Sequence, residues 1–151
     1  MRVSRRWSRT PRAAAVVTMV AAGWLAAAAL PAHAAGDAYA VTVLVVSEDP
    51  GGVDPGAARF DRILRKRLRY ESLRLVSRQH RSVARDEIGT VPVPGAPTFR
   101  FRPIDSSDKG TLVSVEWGAT RGDFRLRRGK PLILGGPATA GGELVVVLES
   151  R

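Results

Sequence analysis

The chain has 151 residues, contains no cysteine, and carries a formal net charge of +10 because 24 Lys and Arg outnumber 14 Asp and Glu. The absence of cysteine excludes disulfides, thiol nucleophiles, iron–sulfur clusters and zinc sites built on thiolates. Its length suits one domain with a modest core.

Residues 1–34 have the pattern of a cleavable bacterial signal peptide. Five arginines precede an uncharged apolar run from Ala13 to Leu30, and Pro31 ends that run. The tripeptide Ala32-His33-Ala34 then supplies the small residues typical of a cleavage site. We therefore predict export by the general secretory route, cleavage after Ala34, and a periplasmic or secreted mature chain.

Two alternatives to this export signal are weaker. An uncleaved membrane anchor would use the same 18-residue apolar run, which is at the lower limit for crossing a bilayer and is mostly alanine. A twin-arginine signal is suggested by Ser4-Arg5-Arg6-Trp7, but Ser8 and Arg9 follow where that signal continues with apolar residues.

Residues 35–151 form the predicted mature chain, a single β-rich domain. Five of the 24 basic residues leave with the signal peptide, so 19 Lys and Arg remain against 14 acids, a net charge of +5. Half of the apparent basicity therefore belongs to export. His80 is then the only histidine, which excludes a metal site built from several histidines.

The mature chain begins with a strand and one helix. Residues 39–46 are apolar and rich in β-branched side chains, which predicts a strand buried on both faces. Asp54 and Pro55 suit an N-cap and first helical position, and apolar residues recur at helical spacing from Phe60 to Leu68. This predicts an amphipathic helix that continues to about Arg69.

Strands with alternating apolar and polar residues follow the helix. They are predicted at residues 73–77, 81–85, 98–104, 111–117, 123–128, 131–134 and 143–148, with 89–97 as a connection or edge strand. The last strand resembles the first in buried character, which suggests that the two are neighbours. The predicted fold class is α+β, after a signal peptide helix: one amphipathic helix packed on a mainly antiparallel sheet or small sandwich.

No residue pattern predicts a catalytic, cofactor-binding or metal site. His80 could pair with Ser77 or Ser82 and Asp86, but neither serine has the surroundings of a nucleophile elbow, and an exposed loop histidine is favoured. Asp105 and Asp108 lack the ligand spacing of a calcium loop and suit a hairpin turn.

The glycine pairs Gly135-Gly136 and Gly141-Gly142 precede a strand and lack the lysine of a phosphate loop. They predict a flexible hairpin turn.

The arginines are the remaining functional feature. One group lies on the predicted helix, from Arg59 to Arg69. A second group lies on predicted strands and is a candidate anion-binding stripe: Arg100, Arg102, Arg125, Arg127 and Arg128. Such a stripe suits lipopolysaccharide, anionic phospholipid or another polyanion, whereas the alternative is a solvated polar face with interspersed acids. Nucleic acid is not expected, since the chain is exported and lacks exposed stacking aromatics.

Three short segments carry a resemblance to other proteins: Tyr70-Glu-Ser-Leu-Arg-Leu-Val76, Pro131-Leu-Ile-Leu-Gly-Gly136 and Gly142-Glu-Leu-Val-Val-Val147. They resemble segments of a set of small, uncharacterised, secreted envelope proteins of Gram-negative bacteria. That set has no assigned activity or catalytic residues, so the resemblance assigns no role to any residue.

The sequence therefore favours an exported, non-enzymatic binding or accessory protein of the cell envelope. Its expected partner is an envelope protein or an anionic lipid or glycan, without a cofactor. The alternatives are a small periplasmic hydrolase that uses carboxylates or His80, and an anionic-surface binder that uses the strand arginines.

Overall fold

The structure is a computed structural model that describes residues 36–151. The predicted signal peptide at residues 1–34, its helix and the predicted cleavage after Ala34 lie outside the described residues. The described part contains nine strands and one helix. Their bounds are β1 (Asp37–Ser47), β2 (Gly52–Val53), α1 (Ala58–Leu64), β3 (Ser72–Val83), β4 (Gly89–Val91), β5 (Phe99–Ser107), β6 (Gly110–Trp117), β7 (Thr120–Leu126), β8 (Leu132–Thr139) and β9 (Gly142–Ser150).

The strands form two sheets with one helix outside them. The first sheet has five strands in the order β2-β3-β1-β9-β8, and the second has four in the order β4-β5-β6-β7. All pairings are antiparallel except the short parallel pair between β2 and β3. The β-rich prediction, with one helix and mainly antiparallel strands, is confirmed, and the two sheets are compatible with a small sandwich.

The main core lies between the sheets. Tyr39, Val41 and Val43 of β1 pack there against Phe99 and Phe101 of β5 and other buried side chains. The ring centroids of Tyr39 and Phe101 are 5.2 Å apart in an edge-to-face arrangement, which is favourable for aromatic pairs.

A second core lies on the other face of the five-stranded sheet. Phe60 and Leu64 of α1 pack there against Leu44 and Val46 of β1 and against Val147 of β9. Strand β1 is thus buried on both faces, as its continuous apolar sequence predicts. It also pairs with β9, which confirms that the first and last strands are neighbours.

The helix is shorter than predicted. It spans seven residues, Ala58–Leu64, and Ala57 occupies the N-cap without a side-chain hydrogen bond. Asp54 instead accepts a hydrogen bond from the Gly56 N–H at 2.8 Å, so it shapes a turn before the helix. The prediction of a helix from Pro55 to about Arg69 is wrong at both ends.

Several strand bounds also differ from the prediction. The two segments predicted at 73–77 and 81–85 are one strand, β3, so His80 lies on a strand and not in a loop. The predicted hairpin between the last two strands is present, with its turn at Ala140 and Gly141, whereas Gly135–Pro137 belong to β8. Among the described residues, no helix is long and apolar enough to cross a membrane.

Candidate functional site

The predicted arginine stripe is divided between two places. Arg100 and Arg102 lie exposed on the outer face of the four-stranded sheet, because their neighbours Phe99 and Phe101 point into the core. Arg127 and Arg128 lie beyond the end of β7, in a tight turn closed by a hydrogen bond from the Lys130 N–H to the Arg127 carbonyl.

Acids interrupt the outer-face group. Glu116 of β6 lies opposite Arg100 of β5 on one side and Arg121 of β7 on the other. Its carboxylate is 3.9 Å from the Arg100 guanidinium and 2.9 Å from that of Arg121. Asp123 is exposed in the next row, across Ser114 from Arg102. This face therefore carries mixed charge.

Arg125 forms hydrogen bonds to both sides of the hairpin between β5 and β6. Its guanidinium donates to the Ser107 hydroxyl at 3.3 Å and to the Gly110 carbonyl at 3.4 Å. Those two residues flank the tight turn Asp108-Lys109 between β5 and β6. Arg125 thereby holds this turn beside the turn that carries Arg127 and Arg128.

These two turns border an open cavity of about 730 Å³, which we call the basic cleft. That volume lies within the range of about 300–1,000 Å³ that is usual for small-molecule sites. The cleft lies at one edge of the molecule, beside the last residues of β5, β7 and β9 and the first residues of β1 and β6. Its lining residues are Asp37, Ser106, Ser107, Asp108, Lys109, Gly110, Thr111, Arg127, Arg128, Ser150 and Arg151.

The cations of the basic cleft outnumber its acids. Lys109, Arg127, Arg128 and Arg151 are exposed around it, and its carboxylate side chains are Asp37 and Asp108. Within residues 36–151, none of these four cations forms an ion pair with a carboxylate side chain. Residues 1–35 contain no Asp or Glu, so no side chain there can neutralise the cations. The cleft therefore keeps a positive potential that attracts anions.

Hydroxyl groups also line the cleft. The Ser106 and Thr111 hydroxyls are 3.4 Å apart. Asp37 and Thr111, which line the cleft, both influence the pKa of Tyr39. Tyr39 is fully buried, and its hydroxyl has no hydrogen-bond partner of good geometry among the described residues. A buried hydroxyl without a partner is uncommon and calls for a physical explanation.

Both tyrosines of the chain are expected to resist ionisation. Burial raises the pKa of Tyr39 to about 12, and nearby Asp37 adds to this. Burial also raises the pKa of Tyr70 to about 12, with a further contribution from its hydrogen bond to Asp61. Because the folded state holds these protons more tightly, it is favoured fully below the unfolded pKa of about 10 and loses this advantage between about pH 10 and 12.

We therefore expect the native protein to show little tyrosinate absorbance at pH 11, where the urea-unfolded chain is mostly ionised. The free energy of unfolding should fall by about 1 kcal/mol for each tyrosine between pH 9 and pH 11. Ultraviolet titration and urea unfolding at both pH values measure the two effects. Tyr39→Phe should remove about half of the pH-dependent loss. Native tyrosines that ionise near pH 10 would contradict this assignment.

Of the residues considered for the alternative hydrolase, Ser77 lies away from His80. Ser77 pairs with Val43, whereas His80 is three residues further along β3 and points to the opposite face. Ser82 donates its hydroxyl hydrogen to the Gly36 carbonyl at 2.9 Å. Within residues 36–151, no group of three or more His, Cys, Asp or Glu is arranged to hold a metal ion, and this includes Asp105 and Asp108.

Sequence reasoning found Arg127 and Arg128 of the cleft but missed Lys109 and Arg151. The predicted pairing of the first and last strands contained part of the signal, because that pairing brings the start of β1 and residue 151 to one end of the sheet. The place of the turn containing Lys109 depends on how the second sheet lies over the first. In comparisons with known proteins, no family model, curated protein or solved structure matched this chain.

Proposed function

We propose that the protein is exported and acts outside the cytoplasm as a non-enzymatic binding or accessory protein of the cell envelope, and that it binds an anionic lipid or glycan through the basic cleft. The observation that carries the proposal is the set of four cations around one cleft that have no carboxylate partner within residues 36–151. Export rests on the pattern of residues 1–34.

The cleft suits anion binding better than the outer face of the four-stranded sheet. On that face Glu116 already accepts a hydrogen bond from Arg121 and forms an ion pair with Arg100, so an anionic ligand would have to compete with an existing carboxylate. In the cleft, Arg127 and Arg128 are adjacent on a tight turn and free of such competition within residues 36–151. Guanidinium groups bind phosphate and carboxylate through paired hydrogen bonds, which favours them for this task.

The test is equilibrium binding by protein recovered from outside the cytoplasm of expressing cells. One arm uses vesicles of phosphatidylglycerol in phosphatidylcholine, and the other uses dextran sulfate, so that a lipid and a glycan polyanion are compared. We expect binding in at least one arm, and we expect it to weaken steeply as the salt concentration rises from about 0.05 to 0.2 M, because these charges are exposed to solvent. Absence of binding in both arms at low salt would overturn the proposal.

The double variant Arg127→Gln/Arg128→Gln is expected to weaken this binding by about 5–30-fold, on the basis of about 0.5–1 kcal/mol for each exposed charge pair. Titration of the variant against the probe that binds measures the effect. The matched control is Arg100→Gln/Arg102→Gln, which removes the same charge from the outer face and should change affinity by less than about threefold. An equal loss in the two double variants would show that only net charge matters and would contradict a site in the cleft.

A further inference from the structure

We infer that α1 and the turn that follows it form a docking surface for a bilayer that contains anionic phospholipids. We call this the α1 surface, and it consists of the exposed side chains of residues 59–69. None of these residues lines the basic cleft, so the inference goes beyond the proposed function and does not depend on it. It depends on where the net charge of the chain lies and on one exposed apolar side chain.

The net positive charge of the predicted mature chain is concentrated in this surface. Residues 59–69 contain six Lys and Arg and one Asp, a net charge of +5. The rest of residues 35–151 contains 13 basic and 13 acidic side chains, whose charges cancel. A segment of eleven residues therefore holds a charge equal to that of the whole mature chain. It gives the outer side of the five-stranded sheet a positive potential that attracts an anionic surface.

Most of these cations are exposed and have no carboxylate partner in the part of the chain that the structure describes. Arg59 pairs with Glu149, and Arg65 pairs with Asp61. Four exposed cations form no ion pair with a carboxylate side chain of the described part, and they are Arg62, Lys66, Arg67 and Arg69. Residues 1–35 contain no Asp or Glu and cannot supply one. These four side chains are therefore available to the phosphate groups of a bilayer.

Ile63 adds an apolar side chain to this basic surface. It is 37% exposed, because Phe60 and Leu64 take the positions of α1 that face the sheet. The Arg67 and Leu68 N–H groups donate to the Leu64 carbonyl at 2.9 and 2.8 Å, so the chain turns tightly and the basic residues that follow α1 stay beside its end. An exposed apolar side chain among cations suits the interface of a bilayer, where the apolar group enters the acyl chains and the cations stay with the headgroups.

The shape of the α1 surface favours a bilayer over a small anion. The helix packs on the outer face of the five-stranded sheet, away from the core between the sheets. A helix in that place is raised above the sheet and can lie against a flat membrane, whereas a small anion is better held in a concave site. An acidic protein would also complement the charge, but it gives no reason for an exposed isoleucine among the cations. The bilayer accounts for both features.

The first experiment measures binding of the exported protein to vesicles by flotation. Vesicles of phosphatidylglycerol in phosphatidylcholine should bind, and vesicles of phosphatidylcholine alone should not. Arg62→Gln/Lys66→Gln should weaken binding by about 10–30-fold, since each basic residue close to an anionic bilayer contributes about fivefold. The matched control is Arg100→Gln/Arg102→Gln, which removes the same charge from the outer face of the four-stranded sheet and should weaken binding by less than about threefold. Equal losses in the two variants, or equal binding of the neutral vesicles, would overturn the inference.

The second experiment tests whether the side chain at position 63 enters the bilayer. The fluorescence of Ile63→Trp should shift to shorter wavelength with the anionic vesicles and should be quenched by brominated acyl chains. The matched control is Ile88→Trp, because Ile88 is 49% exposed and lies outside the α1 surface, and it should show neither change. The parent protein supplies the baseline, since Trp117 is only 2% exposed. Bound vesicles that do not quench Ile63→Trp would overturn the inference and would favour an acidic protein as the partner.

The outcomes also separate this inference from the proposed function. Dextran sulfate that binds at the basic cleft, with no binding of anionic vesicles, would overturn the inference and leave the proposed function standing. Vesicles that bind and quench Ile63→Trp, with no effect of Arg127→Gln/Arg128→Gln on either probe, would support the inference and contradict the cleft. If both surfaces contribute to vesicle binding, the losses in the α1 and cleft variants should multiply, because the two surfaces share no residue.

Discussion

Replacement of Phe101 by alanine is expected to lower the free energy of unfolding by about 3–5 kcal/mol, since it leaves a cavity in the core between the sheets. Phe101 is almost fully buried and touches both halves of that core. Its ring lies 5.2 Å from the Tyr39 ring of the opposite sheet and 6.0 Å from the Phe99 ring on its own strand. Urea unfolding followed by far-ultraviolet circular dichroism measures the loss.

The matched control is Ile88→Ala, which truncates an apolar side chain that is 49% exposed. Its cost should stay below about 1 kcal/mol, because exposed positions bury little surface on folding. A loss below about 1.5 kcal/mol for Phe101→Ala would show that the two sheets are not held by a close-packed core at this position. A typical stability of about 5–15 kcal/mol exceeds this loss over most of its range, so the Phe101 variant should still fold in water.

The sequence predicts the sheets because buried and exposed positions of a strand give a regular pattern of apolar and polar residues along the chain. In β5 and β6 the buried residues Phe99, Phe101, Val113 and Val115 alternate with polar ones, as expected for strands with one face in the core. In β1 nearly every residue is apolar, because α1 covers one face and the second sheet covers the other. Both patterns follow from local geometry and are visible without knowledge of the topology.

The length of the helix is not visible in the same way. Leu68 continues the helical spacing and packs on the same core as Phe60 and Leu64, so the apolar pattern runs on after the helix has ended. The Tyr70 hydroxyl donates to the Asp61 carboxylate at 2.8 Å and lies 3.1 Å from the Asp61 carbonyl, which draws the chain back against α1. The spacing of apolar residues reports which side chains are buried and does not report where the backbone leaves the helix.

Gly136 shows a second limit of sequence reasoning. It sits in β8, and a Cβ atom there would overlap the indole of Trp117 in β6. The Trp117 indole N–H donates to the Pro97 carbonyl at 3.0 Å, which fixes the ring in this position. Gly135-Gly136-Pro137 suggests a turn when taken alone, whereas the glycine at 136 is required by a ring from a distant strand.

The basic cleft is the least predictable feature, since it depends on the arrangement of strand ends. In an alternating strand, Arg125 and Arg127 are both expected to point outward. In the structure Arg125 forms hydrogen bonds beside the Asp108-Lys109 turn, whereas Arg127 lines the cleft. Lys109 sits in a turn that the sequence marks only as a hairpin connection, and its place beside Arg127 becomes visible only in the structure. The arginines were therefore predictable as candidates, and their division between two surfaces was not.

Replacement of Gly110 by alanine is expected to destabilise the protein by about 3 kcal/mol or more and to abolish anion binding at the cleft. Gly110 has a φ of +113°, a conformation that residues with a Cβ atom rarely adopt. An added Cβ would also overlap the Leu126 carbonyl oxygen, which belongs to the backbone of β7 and cannot move aside cheaply. Relief of that overlap would push the hairpin that carries Lys109 away from Arg127 and Arg128.

Gly129→Ala is the control that separates these causes. Gly129 has a φ of +73°, close to the left-handed region, and a Cβ atom there would lie more than 4 Å from every described residue other than its two chain neighbours. The strain alone should cost about 1–2 kcal/mol and leave the cleft in place, although the glycine follows Arg128 directly. Urea unfolding and dextran sulfate titration of both variants measure the two effects. The two sites differ because β6 and β7 approach closely at Gly110 and not at Gly129. Equal stability losses in the two variants, or full anion binding by Gly110→Ala, would therefore show that the Asp108-Lys109 turn does not position the cleft.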